Sequence, residues 1–365
     1  MKLTCMRRLI CIMTALMALG SVSLLSSCDS AIYDDEGDCT VHYRVTFTYD
    51  MNMKFANAFP NEVKSVTLYV YDSAGGLVTS KTESGARLAS PDYCMDVEVL
   101  PGTYDLLVWA TGESPMTDHT AFAVKTASAE TPMSAMGAVL SLQGAPGAVT
   151  PETGLFVDRD ITPLFHGIMR GVDFPDTYGN VTIGPVRLMK DTNVVQILLQ
   201  NTDGTSLSED DFSFYVTADN SELNYLNEVV SAEAFGYRPW ALTMTSASFD
   251  EPDTDTPQSV APRAAQTEAN GVLAELTMGR LMADRTPRLV VRRNTDGEDI
   301  IRINLIQYLL MVKGEYNRNL TNQQYLDRQD VYTMMFFVDK DRNWYVAGGI
   351  YINGWRVVPP QDTEL

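Results

Sequence analysis

Apolar and polar side chains alternate with a period of two along much of this chain. Val41, Tyr43, Val45, Phe47 and Tyr49 alternate with His42, Arg44, Thr46 and Thr48, which predicts a strand with one buried face. The same rhythm returns at Val66, Leu68 and Val70, ahead of the hairpin-type turn Asp72-Ser73-Ala74-Gly75-Gly76, and again at Met95, Val97 and Val99. Further on it marks Val195/Ile197/Leu199, Phe212/Phe214/Val216, Trp240/Leu242/Met244, Leu273 to Met282 and Leu289 to Val291. Val331 to Val338 and Trp344 to Val358 read as a closing hairpin around Asp339–Asn343. The period changes only briefly. Leu305, Tyr308, Leu309 and Val312 have helical spacing, and Thr321 to Gln324 has capping-box spacing ahead of Tyr325, Leu326 and Arg328. The expected class is all-β with short helices, and many short strands between Gly/Pro turns favour packed sandwiches over a parallel sheet.

Within Leu100-Pro101-Gly102-Thr103-Tyr104-Asp105-Leu106-Leu107-Val108, Pro101 presets one turn corner and Gly102 supplies the next, after which Tyr104, Leu106 and Val108 open a new buried face. This stretch resembles the strand-turn-strand signature of transthyretin-like β-sandwiches. Residues 113–153 have weak periodicity and read as loops with one or two short edge strands. A domain change is expected at Gly184-Pro185, which gives an N-terminal sandwich over 39–184 and a C-terminal one over 185–365. Residues 250–270, with three prolines, many acids and no aromatic, read as a mobile loop.

The N-terminus belongs to targeting. Lys2, Arg7 and Arg8 precede an apolar run from Leu9 to Leu25, the pattern of a secretory signal over 1–27. It ends in Leu25-Ser26-Ser27-Cys28, which resembles the lipobox of bacterial lipoproteins and makes Cys28 the expected lipid anchor; more than one acyl chain holds a membrane firmly. No other apolar run approaches the ~18–20 residues of a membrane helix. Residues 28–38 are acidic and aperiodic, a tether. Of the five cysteines, Cys5 and Cys11 leave with the signal, so Cys39 and Cys94 remain either as a disulfide, worth roughly 4 kcal/mol in the chain-entropy model, or as two free thiols. Signal removal also leaves 24 basic against 47 acidic residues, a charge of −23, which excludes nucleic acid as a partner.

Motifs for chemistry are missing. There is no G-x-S-x-G, H-E-x-x-H, phosphate-binding loop or dinucleotide fingerprint, so neither an enzyme nor a cofactor is expected. The three histidines, His42, His119 and His166, are too few for an imidazole cluster, and His166 between apolar neighbours reads as structural. Asp158/Asp160 and Asp210/Asp211 read as solvated turn acids. Asp339-x-Asp341-x-Asn343 copies the start of a calcium loop, but Trp344 stands where glycine is needed and Ile350 where the bidentate Glu belongs, so no metal is expected. Tyr43 and Tyr49 sit on alternating strand faces and read as core.

Taken together, Ser27-Cys28-Asp29, Ile32 to Asp35, Cys39, the Leu-Pro-Gly-Thr-Tyr segment at 100–104, Leu164-Phe165-His166-Gly167, Gln324 to Arg328 and Ile352-Asn353-Gly354-Trp355 resemble the FimB-type fimbrial anchor-subunit family of Bacteroidetes. The resemblance implies two transthyretin-like β-sandwich domains in tandem, and a lipoprotein of the outer membrane, exposed on the cell surface, that anchors a fimbria and limits its length. Its expected partners are pilin subunits and, through the lipid on Cys28, the membrane; the first pilin would be met by β-strand addition at a sandwich edge or at Tyr345 to Val358. A shaft or tip fimbrillin, or a surface glycan-binding lipoprotein, are the alternatives.

Overall fold

The computed structural model describes residues 40–112, 122–202, 205–248 and 268–357. Within them the chain is built from strands with only short helices, the expected all-β class. Its first unit comprises β1 (Val41–Thr48), β2 (Ser65–Tyr71), β3 (Leu77–Ser84), β4 (Met95–Val97) and β5 (Gly102–Thr111). A crossing segment then carries β6 (Phe122–Val124), β7 (Gly137–Leu140), β8 (Gln143–Gly144) and β9 (Leu155–Val157). The chain returns to the first unit for β10 (Leu164–Phe174) and β11 (Gly179–Lys190).

These seven strands of the first unit form one sheet in the order β3-β2-β5-β10-β11-β1-β4. β11 is where that sheet folds over. Its first part runs parallel to β1, while Leu188 to Lys190 pair antiparallel with Gly167 to Phe165 of β10. The two faces thus brought together enclose one core: Tyr43, Val45 and Phe47 from β1, Val66, Leu68 and Val70 from β2, Leu106 and Val108 from β5, and Ile183 and Leu188 from β11. The β2–β3 turn has a local cause. Asp72 Oδ1 accepts from the N–H groups of Ala74 and Gly76 while Gly75 takes the left-handed conformation (φ +84°) that glycine adopts without penalty.

The second unit contains β12 (Thr192–Asn201), β13 (Phe212–Ala218), β14 (Glu222–Asn224), β15 (Phe235–Tyr237), β16 (Ala241–Ser248), β17 (Glu268–Gly279), β18 (Arg288–Arg293), β19 (Glu298–Asn304), β20 (Val331–Val338), β21 (Ile350–Ile352) and β22 (Trp355–Val357). They make two six-stranded sheets, β16-β17-β12-β20-β21-β22 and β19-β18-β13-β15-β9-β8. Val195, Ile197, Leu276 and Phe336 of the first belong to one buried core with Val216, Val291 and Ile303 of the second.

Two expectations are corrected. The boundary at Gly184-Pro185 falls inside β11, whose pairing with β1 continues past it, so the units divide at Asp191. The crossing segment also belongs with the second unit, since β7 pairs with β14 and β9 with β15. Together β6, β7 and β14 form a three-stranded layer whose Phe122, Ala138 and Leu140 join the core that takes in Tyr69, Tyr71, Leu107 and Trp109 of β2 and β5. That layer explains why β5 is buried on both faces over Leu106 to Thr111, a run that shows no clean alternation.

The closing hairpin is also more broken than its pattern predicts. Residues 339–343 form the expected turn, with Asp339 N–H donating to Asn343 O and Arg342 left-handed (φ +61°). After Trp344 the chain makes a helical turn at Val346–Gly348 and only then forms the β21–β22 hairpin. Both helices appear as expected: Leu305–Met311, capped by Asn304, and Asn322–Leu326, opened by a complete Thr321/Gln324 capping box. β17 begins at Glu268, inside the stretch read as a loop, and the rest of that loop (250–267) lies outside the described residues.

Candidate functional site: an interdomain clasp and an open strand seam

Two of the sequence motifs meet where the units join. Residues 327–330, directly after the Asn322–Leu326 helix, each reach a different partner. Asp327 accepts two hydrogen bonds from the Arg280 guanidinium, both at 2.9 Å, and the two side chains are only 6% and 10% exposed. Burial works to lower the pKa of Arg280, yet the bonds and charge of Asp327 outweigh it and raise the pKa. Arg328 donates to Asp50 O (3.0 Å) and Asn52 O (3.3 Å) of the loop after β1, and stacks over Phe55 at 4.6 Å. Gln329 O accepts from Asn193 Nδ2 at 2.6 Å. Tyr49 O–H donates to Asp330 at 3.1 Å, and Lys190 lies between Asp330 (3.7 Å) and Glu62 (3.3 Å). Burial, then the Asp330 charge, raise the pKa of Tyr49; burial raises that of Asp330 against the pull of Lys190.

His166 closes the clasp from the first unit. Its Nε2–H donates to Tyr225 O of the second unit at 3.0 Å, and its ring meets Trp109 edge-on at 4.8 Å. Burial pushes its pKa down to about 4. His166 is thus the structural histidine the sequence predicts. Sequence reasoning placed Asp327 and Arg328 in a motif but missed Asp191, Asn193, Asn227 and Arg280, because isolated polar residues on strand ends carry no signal of which distant partner they meet.

The other candidate residues scatter. Asp158 accepts from Gln143, Asp160 from Thr277 and Asp211 from Arg342, each in a separate polar contact. Asp339 Oδ1 is taken up by the N–H groups of Asp341 and Asn343, so the calcium-like spacing serves as turn geometry. Among the described residues no group of His, Cys, Asp or Glu is arranged to hold a metal. Tyr43 and Tyr49 are buried core. The signal, Cys28, the tether and Cys39 lie outside the described residues. Among the described residues Cys94 has no disulfide partner. Tyr43↔Val97 and Val45↔Met95 set the β1–β4 register, which puts Cys94 abreast of Thr46, six residues along from Thr40. At about 3.3 Å per residue that is ~20 Å, against a Cα separation of ~4.4–6.8 Å in a disulfide.

The outer strands of the seven-stranded sheet, β3 and β4, are its two edges, and the folding-over of the sheet brings them near each other. Lys81 Nζ of β3 donates to Asp96 O of β4 at 2.8 Å, but no ladder joins the two strands. β4 is three residues long and covers only Tyr43 to Val45 of β1. Beyond its end an open cavity of about 580 Å³ runs beside β1, lined by Val41, Val78, Val97, Val99 and Leu100 with Asp96 and Glu98 at its polar side. Val78 is 45% exposed and Leu100 80%. Apolar side chains between two strand edges that are unpaired among the described residues are the physical requirements for accepting an extended segment, with ladder bonds supplying affinity and pockets supplying register.

A sequence profile of the fimbrillin-A associated anchor proteins Mfa1 and Mfa2 matches residues 35–359. The chain belongs to that family. Solved structures agree on the fold. A candidate adhesin from Bacteroides thetaiotaomicron superposes with a TM-score of 0.71 at 29% identity, covering 89% of this chain and 99% of that one. A candidate polysaccharide-binding protein from the same organism gives 0.67 at 25%, covering 89% and 100%. The fimbrial anchor protein Mfa2 from Porphyromonas gingivalis gives 0.58 at 14%, covering 88% and 100%, a likeness of fold alone. No protein with a curated description matches the chain.

Proposed function

We propose that this protein is a lipoprotein of the outer membrane, anchored through Cys28, that attaches a fimbria to the cell surface, limits its length, and meets the first pilin by β-strand addition at the β3/β4 seam. Membership of the anchor family carries the reading. The lipobox-like Leu25 to Cys28 supports the membrane attachment, and two unpaired edges flanking an apolar cavity support strand addition. The C-terminal hairpin, whose β22 is likewise an outer strand of its sheet, is the second place for that contact. A structural, non-catalytic role agrees with the family.

Cells carrying Cys28→Ala test the anchor: fimbriae are expected in the medium, and fimbriae that stay on the cell at normal length overturn it. Val78→Lys together with Val99→Lys tests the seam in the lipidated protein. Loss of fimbrial attachment with the protein still folded at the surface is expected, and unchanged attachment removes the seam while leaving the anchor role standing.

A further inference from the structure

The main chain passes from the first unit to the second through Asp191, which lies in neither β11 nor β12. Its N–H donates to Leu164 O at 2.8 Å, and its side chain has no contact with solvent. Asp191 Oδ1 accepts from Asn227 Nδ2 at 2.7 Å. The other two oxygens of the pair, Asp191 Oδ2 and Asn227 Oδ1, are both buried without a hydrogen-bond partner. Asn227 is held there by its left-handed backbone (φ +64°) and by its carbonyl, which accepts from Arg280 Nη1. An ionised carboxylate beside an amide therefore leaves two acceptors and no hydrogen between them, and an unsatisfied buried acceptor is expensive.

The surrounding charges do not supply that hydrogen. Arg280 directs Nε and Nη2 to Asp327 and Nη1 to Asn227 O, with no bond to either orphan oxygen. Lys190, the preceding residue, faces Glu62 and Asp330. Tyr49 gives its O–H to Asp330. Asp327 adds a second negative charge nearby. A proton on Asp191 satisfies both orphan oxygens at once, with Oδ2–H donating to Asn227 Oδ1 while Asn227 Nδ2–H donates to Asp191 Oδ1.

We propose that Asp191 is held as the un-ionised acid in the folded protein and closes a ring of two hydrogen bonds with Asn227, a proton-dependent latch at the crossing between the two sandwiches. Burial pushes its pKa up to about 7, opposed by Arg280 and by the Asn227 bond. A folded-state value above the unfolded one means the latch contributes fully below the ordinary carboxylate range, is lost as pH rises toward about 7, and changes no further above it.

Asp191→Asn tests this, because an amide makes the same ring without a proton. Its melting temperature is expected to match the native chain in acid, to exceed it by a margin that grows as pH rises to about 7, and to keep that margin above. Parallel melting curves at all pH values overturn the latch. Should Asp191→Asn fail to fold, the infrared spectrum of the chain with carbon-13 aspartate decides, recorded in the Asp330→Asn background because Asp330, half-buried, is the other aspartate among the described residues whose pKa is raised. A carbonyl stretch from one un-ionised Asp at pH 6 that disappears by pH 8 supports the proposal, and its absence at pH 6 overturns it.

Discussion

Arg280 and Asp327 face each other fork to fork, two nitrogens on two oxygens at 2.9 Å each, inside the junction between the sandwiches. Such a pair is weak evidence for net stability, because desolvating two charges offsets most of their attraction, but removing one partner strands the other. Asp327→Ala should therefore lower unfolding stability by about 3–5 kcal/mol. Replacing both residues together, Arg280→Met with Asp327→Leu, should recover most of it. Urea midpoints with unchanged slope are the measurement, and a double variant no better than Asp327→Ala would refute the argument.

The next residue acts outward. Arg328 holds the loop after β1 through two backbone carbonyls and the Phe55 face, and no acidic side chain bonds it. Arg328→Lys keeps the charge but loses the flat fork that reaches both carbonyls while stacking. Amide hydrogen exchange over residues 50–58 should quicken severalfold in Arg328→Lys, with the cores of both sandwiches unchanged. Equal exchange in that loop would show that Tyr49 and Asp330 suffice to hold it.

His166 and Asp191 lie near the same guanidinium, and their titrations oppose each other. The folded pKa of His166 is pushed down to about 4, so the unfolded chain binds a proton that the folded chain refuses. Its contribution is present above the ordinary imidazole value and is lost as pH falls toward 4, on the order of 3 kcal/mol at most. Asp191 runs the other way over nearly the same interval, since its folded pKa is raised. The native chain should thus show a flatter stability profile between pH 4 and 6.5 than either variant. His166→Gln, which retains a donor for Tyr225 O, should expose a stability that falls with rising pH; Asp191→Asn should expose one that rises. Thermal melts at half-unit pH steps check both signs.

How much of this was legible beforehand depends on the range of the interaction. The alternation at 41–49 marks β1 because one face meets a core and the other does not, a local property of a strand. Asn304 and Thr321 mark helix starts for an equally local reason. The boundary at Gly184-Pro185 misled because a Gly-Pro break inside β11 looks the same in sequence as a linker. The placement of residues 122–157 against the second unit, and the parallel pairing of β1 with β11 and β12 with β20, depend on which distant strand lies alongside, and no residue spacing records that. The clasp shows both limits: the stretch after Tyr325 drew notice as a motif, while Arg280, 47 positions away, did not.

Cys94 directly follows Tyr93, whose ring stacks on Phe47 and Phe59, and directly precedes β4, whose pairing with β1 is fixed over three residues. Slipping that register to bring Cys94 toward the start of β1 would move Met95 and Val97 along or off the core face they now fill, since one residue of slip exchanges the two faces of a strand. Cys94, partly exposed, is therefore expected as a free thiol. Alkylation of the native protein without reductant, followed by peptide mass measurement, should label Cys94, and labelling should be unaffected by Cys39→Ser. A Cys39–Cys94 cross-linked peptide would instead require β4 to leave β1, and the seam described above would then have a different edge.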